Sequence, residues 1–214
     1  TDEEYSRLLD WGLRLTILLA VPAAAALAVL AVPLIATLFH YGAFTAEDVR
    51  QTRSALVCYS AGLVGLILVR VLAPGFYAQQ NIRTPVKIGI ITLVFTQVMN
   101  LIFVWPLAHA GLALAIALGA CMNATLLYRG LRSRGIFQPQ PGWGRFFAQV
   151  GAATLLMALV LGFAAGAGAW WLEAGAVPRA ARLAGVVAAG AAVYFAALWV
   201  AGVRPRHFIK RGTE

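Results

Sequence analysis

The sequence predicts an all-α, polytopic membrane bundle of six transmembrane helices, and three observations carry that prediction. Of the 214 residues, 61% are hydrophobic and only 12% charged, with a mean hydropathy of +0.80; a soluble domain of this length has nowhere to bury so much apolar surface. The apolar residues gather into six runs, each near the roughly 20 residues that cross the hydrocarbon as a helix. The third observation is where the charge falls. If the runs alternate in direction, thirteen of the seventeen basic residues lie on one face and four, Arg50, Arg53, Arg179 and Arg182, on the other. By the positive-inside rule the thirteen, and both ends of this chain, face the cytoplasm.

The opening TDEEYSRLLDWG is polar and mixed in charge. It has neither the basic n-region nor the cleavage site of a signal peptide, so a piece of a longer polypeptide or a processed product is expected. The first span covers 11–39 and contains Pro22 and Pro33, with a kink or break expected at Pro22. In the turn that follows, Gly42 permits a tight bend, and Thr45 with Asp48 has the form of a capping box that starts a second helix over 46–73. Arg70–Lys87, RVLAPGFYAQQNIRTPVK, is the long polar break of the chain. Its prolines predict that one helix ends near Pro74 and the next begins near Thr84 or Pro85. The third span, 85–105, is closed by Pro106, and a short connection leads to the fourth, 110–131. These four spans form one part, 1–131. A basic loop, 132–145, precedes two Ala- and Gly-rich spans in 146–203, where Gly162 and Gly166 have the GxxxG spacing either of a packing face or of ordinary Ala- and Gly-rich membrane sequence. A basic tail, 204–214, ends the chain. Trp11, Trp105, Trp143, Trp170 and Trp171 fall at the expected interfaces.

Composition and spacing exclude several functions. The net charge of +9 sits at the ends of apolar runs and not along one helix face, which argues against nucleic acid. Cys58 and Cys121 lie far apart inside apolar runs and read as small buried hydrophobes. All eight carboxylates and all three histidines fall outside the apolar parts of the spans, which in the second is Ala55–Val69, so no acid/base pair, nucleophile, metal cluster or proton relay can be assembled at depth. Neither an enzyme nor a cofactor or metal is expected. The polar groups at depth are Thr92, Thr96, Gln97 and Asn100 on the third span and Asn123 and Thr125 on the fourth. Residues 92, 96 and 100 form one stripe, which either lines a hydrated cavity or bonds a neighbouring helix. Arg70 and Lys87 are placed to meet an anionic substrate group at a cavity mouth or to snorkel to anionic lipid headgroups.

LFHYGAFTAEDV (Leu38–Val49), RVLAPGFYAQQNIRTPVKI (Arg70–Ile88), TQVMNL (Thr96–Leu101), HAGLALAIALGACMNATLLY (His109–Tyr128) and the PQPGW turn (Pro139–Trp143) resemble the carboxy-terminal half of the MurJ/MviN family. These are the lipid II flippases of bacterial cell-wall synthesis, within the superfamily of multidrug, oligosaccharidyl-lipid and polysaccharide exporters. The motif positions are Gly42, Phe44, Thr45, Pro74, Phe76, Tyr77, Arg83, Thr84 and Pro85. The resemblance implies a two-lobe, fourteen-helix transporter of the bacterial inner membrane, with these spans as helices nine to fourteen and the last two forming a groove for the lipid tail. It implies lipid II as substrate, a partner amino-terminal lobe and alternating access. Coupling to the membrane potential or an ion gradient is open. A sodium site is not expected, since the candidates Thr96 and Asn100 are neutral. Two alternatives stand beside this reading: an exporter of another lipid-linked saccharide or of drugs, and a non-transporting scaffold for cell-wall enzymes.

Overall fold

The computed structural model describes residues 2–203 as seven α-helices: α1 (Asp2–Val29), α2 (Ala31–Phe39), α3 (Ala46–Ala78), α4 (Arg83–Ser133), α5 (Trp143–Ala165), α6 (Gly168–Glu173) and α7 (Ala176–Val200). No strand occurs among the described residues. Five helices, α1, α3, α4, α5 and α7, are long and apolar enough to cross a membrane. The sixth expected span is found inside α4, whose 51 residues hold two. The expected tail, 204–214, lies outside the described residues. The chain divides into two compact units, one comprising the residues up to Ala20 with Cys58–Trp143, the other Val21–Val57 with Gly144 onward.

In the first unit, α4 is a helical hairpin that turns on one residue. Ala108 alone leaves the helical region, at φ 45 and ψ −123. A Cβ on Gly111 would meet the Phe103 carbonyl, and one on Gly119 the Thr96 hydroxyl. Both pairs are centred at residues 107–108, so the arms 83–107 and 109–133 run antiparallel, each about 37 Å long at 1.5 Å per residue. Sequence placed the end of the third span at Pro106, but the helix continues through it. Proline tolerates this near a helix end because the bond it removes is close to the turn. Against the second arm, α3 presents Gly62 and Gly65. A Cβ on Gly65 would lie 2.8 Å from the Cys121 amide nitrogen, so only glycine lets these backbones meet where lipid gives no hydrophobic drive. Leu9 and Leu13 of α1, Leu72 and Phe76 of α3, Leu127 and Leu131 of α4 and Phe137 of the following loop close the core.

In the second unit the break in the first span is not at Pro22. Helix α1 runs through Pro22 to Val29, and the interruption is at Leu30, with φ −92 and ψ 16. Pro33 accounts for it: its ring crowds the carbonyl four residues back, Val29, and supplies no N–H to it. The capping box forms as expected, since Asp48 Oδ2 accepts the Thr45 amide at 2.8 Å while Thr45 Oγ1 accepts the Asp48 amide at 3.3 Å. Two arginines one turn apart on α7 close the ends of other helices. Arg179, buried, donates to the carbonyls of Ala36 at 2.7 Å and His40 at 3.3 Å, and Arg182 to those of Ala164 at 3.3 Å and Ala165 at 3.2 Å. These carbonyls end α2 and α5, where the helix dipole favours a cation. Arg182 also lies over Trp170, 4.3 Å from the ring centroid.

Candidate functional site

The motif residues of the polar break converge on one end of the first unit. Helix α3 does not stop at Pro74 but runs to Ala78. It closes in a Schellman motif, in which the Asn81 amide donates to the Phe76 carbonyl at 3.0 Å and the Gln80 amide to that of Tyr77 at 2.9 Å. Gln80 takes the left-handed position, at φ 53, that glycine usually fills. Asn81 then caps the start of α4, its Oδ1 accepting the Thr84 amide at 3.2 Å. Phe76 is fully buried and packs under Gly130. Tyr77, Arg83 and Lys87 are exposed.

The loop after α4 covers this end. Helix α4 finishes in a second Schellman motif at Gly135, φ 74, with Ile136 and Phe137 donating to the Leu131 carbonyl. Arg134, the capping residue, reaches across to Thr84 and gives its Oγ1 a hydrogen bond of 2.8 Å, with its guanidinium 5.8 Å from the Phe76 ring centroid. The PQPGW turn is pinned to α1 by residues at i, i+4 and i+8 on one helix face. Ser6 Oγ accepts the Gln138 amide at 2.9 Å. Asp10, 4% exposed, accepts the Gln140 amide at 3.0 Å and the Trp143 indole N–H at 2.8 Å through Oδ1, and Arg14 at 2.8 Å through Oδ2. Arg14 in turn donates to the Pro141 carbonyl at 3.1 Å and lies 5.0 Å over Trp143. Beside this clasp is a polar cavity of about 270 Å³, lined by Glu3, Ser6, Arg7, Gln138 and Gln140.

Asp10, Ser6, Arg14 and Arg134 are the residues that sequence reasoning missed as a group. Their partners lie about fifty or more positions away, and the one available signal was a carboxylate, Asp10, at a helical spacing from Arg14.

The other candidates are distributed differently. Thr92 and Thr96 lie against Gly119 of the second arm of α4, which fits helix packing over a cavity lining. Gln97 is exposed and accepts the Asn100 side-chain amide at 3.3 Å. Thr92 Oγ1 and Asn100 Oδ1 have no hydrogen-bond partner among the described residues. Thr125 bonds back to the Cys121 carbonyl at 2.7 Å, within its own helix; Asn123 is half-buried and Arg70 exposed on α3. Gly42 takes φ 59, Phe44 stands 6.2 Å from Phe39 between ring centroids, and Pro85 lies in the first turn of α4. Among the described residues no group of three His, Cys, Asp or Glu side chains suits a metal.

Apolar helices of membrane-spanning length, packed in the first unit through glycines and closed there by a clasp about Asp10, define a polytopic helical membrane protein. Comparison with known proteins then fixes the family. The family model "Lipid II flippase MurJ" matches residues 1–177, and the chain belongs to the MurJ family. It is 51% identical over 209 residues to the lipid II flippase MurJ of Burkholderia cenocepacia, covering 97% of this chain and 40% of that protein. It is 39% identical over 210 residues to the probable lipid II flippase MurJ of Vibrio cholerae, covering 98% of this chain and again 40% of the relative. A solved structure described as lipid II flippase MurJ in an inward closed conformation superposes with a TM-score of 0.73 at 21% identity, over 91% of this chain and 38% of that one. That likeness shows the fold. The chain spans about 40% of the length of these curated relatives.

Proposed function

We propose that this chain is the carboxy-terminal part of a lipid II flippase, a transporter and not an enzyme, which moves the undecaprenyl-linked cell-wall precursor across the bacterial inner membrane by alternating access. The observation that carries the reading is the 51% identity, sustained over 97% of the chain, to a protein named for that activity. The geometry supports it. A pyrophosphate-bearing headgroup needs cations and a protein-lined route, while its tail can stay in lipid. Arg70, Arg83 and Lys87 are exposed cations of the first unit, suited to phosphate. In the second unit an apolar groove of about 370 Å³ runs along Ala148, Ala152, Ala153, Ala197 and Ala201 with Arg145 and Gln149 among its lining, suited to a prenyl tail. On this reading residues 1–131 belong to one lobe, the last two spans form the tail groove, the basic loops and both ends face the cytoplasm and its anionic headgroups, and an upstream lobe of the same polypeptide completes the cavity.

The test is reconstitution. In proteoliposomes carrying fluorescent lipid II, the chain extended to full family length translocates the lipid, and this chain alone does not. Translocation by the isolated chain would overturn the two-lobe reading, and none by the extended one would overturn the flippase reading.

A further inference from the structure

Arg83 and Lys87 stand four residues apart in the first turns of α4 and so share a helix face. Both are exposed, and no acidic residue lies in that first turn. This is the end of a helix at which the backbone dipole repels cations, so local structure does not account for the pair. Between them lies Thr84, half-buried, and its two polar groups are both committed. The amide is given to Asn81 Oδ1 at 3.2 Å, and the hydroxyl oxygen accepts Arg134 Nη2 at 2.8 Å. Arg134 is itself held: its backbone caps α4 beside left-handed Gly135, and its guanidinium lies near the ring of fully buried Phe76. A planar guanidinium can stack and donate in fixed directions at once, which a lysine ammonium cannot.

We propose that Arg134 is a positioning residue for Arg83 and Lys87. By gripping Thr84 it fixes the first turn of α4, so that the two cations present a set pair of donors to the phosphate groups of a lipid-linked pyrophosphate. The inference rests on the flippase reading above and adds to it a residue fifty positions away that acts through another.

The experiment uses the polypeptide extended to full family length in phosphatidylcholine nanodiscs, with lipid II and bare undecaprenyl pyrophosphate as probes. A parallel set contains phosphatidylglycerol and no prenyl lipid. Arg83→Gln and Lys87→Gln each weaken binding of both probes about tenfold, the scale of one charge-assisted contact. Thr84→Val, which alters no charge, weakens it severalfold. Arg134→Gln does the same, and the double variant is no worse than either single one, because both remove one bond. Thr84→Ser restores binding and Arg134→Lys does not. The inference is overturned if Thr84→Val binds normally while Arg134→Gln is impaired, since Arg134 would then act by its own charge. It is equally overturned if Arg134→Lys binds as the parent does, or if Arg83→Gln and Lys87→Gln affect phosphatidylglycerol association only, which would make the pair a headgroup anchor. Failure of the parent to bind lipid II in any arm would instead sink the flippase reading itself.

Discussion

Replacing Asp10 by alanine is the sharpest test of how the first unit is closed. The carboxylate is 4% exposed and accepts three hydrogen bonds: from the Trp143 indole at 2.8 Å, the Gln140 amide at 3.0 Å and Arg14 at 2.8 Å. A bond to a charged group contributes about 1.5–3 kcal/mol net, and a donor left buried without a partner costs on the same scale. The Arg14 bond counts for less, about 0.5 kcal/mol, because that side chain is 23% exposed and its charge can return to water. The expected loss is therefore about 3.5–6.5 kcal/mol. For soluble domains of this size that corresponds to a fall of roughly 7–26 °C in Tm. Asp10→Asn keeps one acceptor oxygen and should lose about half as much. The assay is heating in detergent micelles followed by fluorescence-detected size exclusion, with hydrogen exchange read over residues 135–143. In Asp10→Ala those amides exchange faster, while those of α5 beyond the first turn do not. An unchanged melting profile with unchanged exchange in the loop would refute the clasp.

Three further substitutions bear on the fold. Gly65→Leu places a Cβ under 3 Å from the backbone of Ala120 and Cys121, which cannot give way, so the α3–α4 crossing is lost and folded yield collapses; Gly89→Ala, with nothing within 4 Å, leaves yield unchanged. Gln80→Gly relieves a left-handed residue at φ 53 and should stabilise by about 0.5–1 kcal/mol, read as a small rise in Tm. Arg179→Met strips the carbonyls of Ala36 and His40 of their buried donor and should cost about 2–4 kcal/mol, with faster hydrogen exchange at the end of α2 as the local sign.

Much of this was legible in the sequence, for reasons that particular residues show. Apolar run length found every span, and the Thr45–Asp48 pair was read correctly because a capping box is local. Prolines were read less well. Pro22 and Pro74 sit inside continuous helices, whereas the break at Leu30 lies one turn before Pro33; a missing backbone bond leaves a choice between kinking, breaking and carrying on that tertiary packing makes. The short connection expected between the third and fourth spans does contain the turn, but no composition signal announces that one alanine, Ala108, is enough to reverse the helix. Of the site, the cations at 83 and 87 were visible as charges on a proline-bounded turn. What holds them was not, because Arg134 and Thr84 are fifty positions apart and the pairing exists only once the α4 hairpin has folded. In the sequence Asp10 is only one of eight carboxylates outside the apolar runs, because its donors come from residues 140 and 143.

The two α7 arginines change how the charge asymmetry of the chain should be weighed. A basic residue steers insertion through its unshielded interaction with the membrane and the insertion machinery. Arg179 and Arg182 direct their guanidinium groups inward, onto carbonyls and aromatic rings of their own unit, and once folded present little of that surface to the outside. With both removed from the minority set of four, Arg50 and Arg53 remain, and Arg50 is paired with Glu47 at 2.9 Å. By the same criterion Arg14, bound to Asp10 and the Pro141 carbonyl, leaves the majority set, so on this alternation the thirteen-to-four split becomes twelve to two. A topology reporter fused after α7 should then be insensitive to Arg179→Gln and Arg182→Gln, even where those changes loosen the corner they seal.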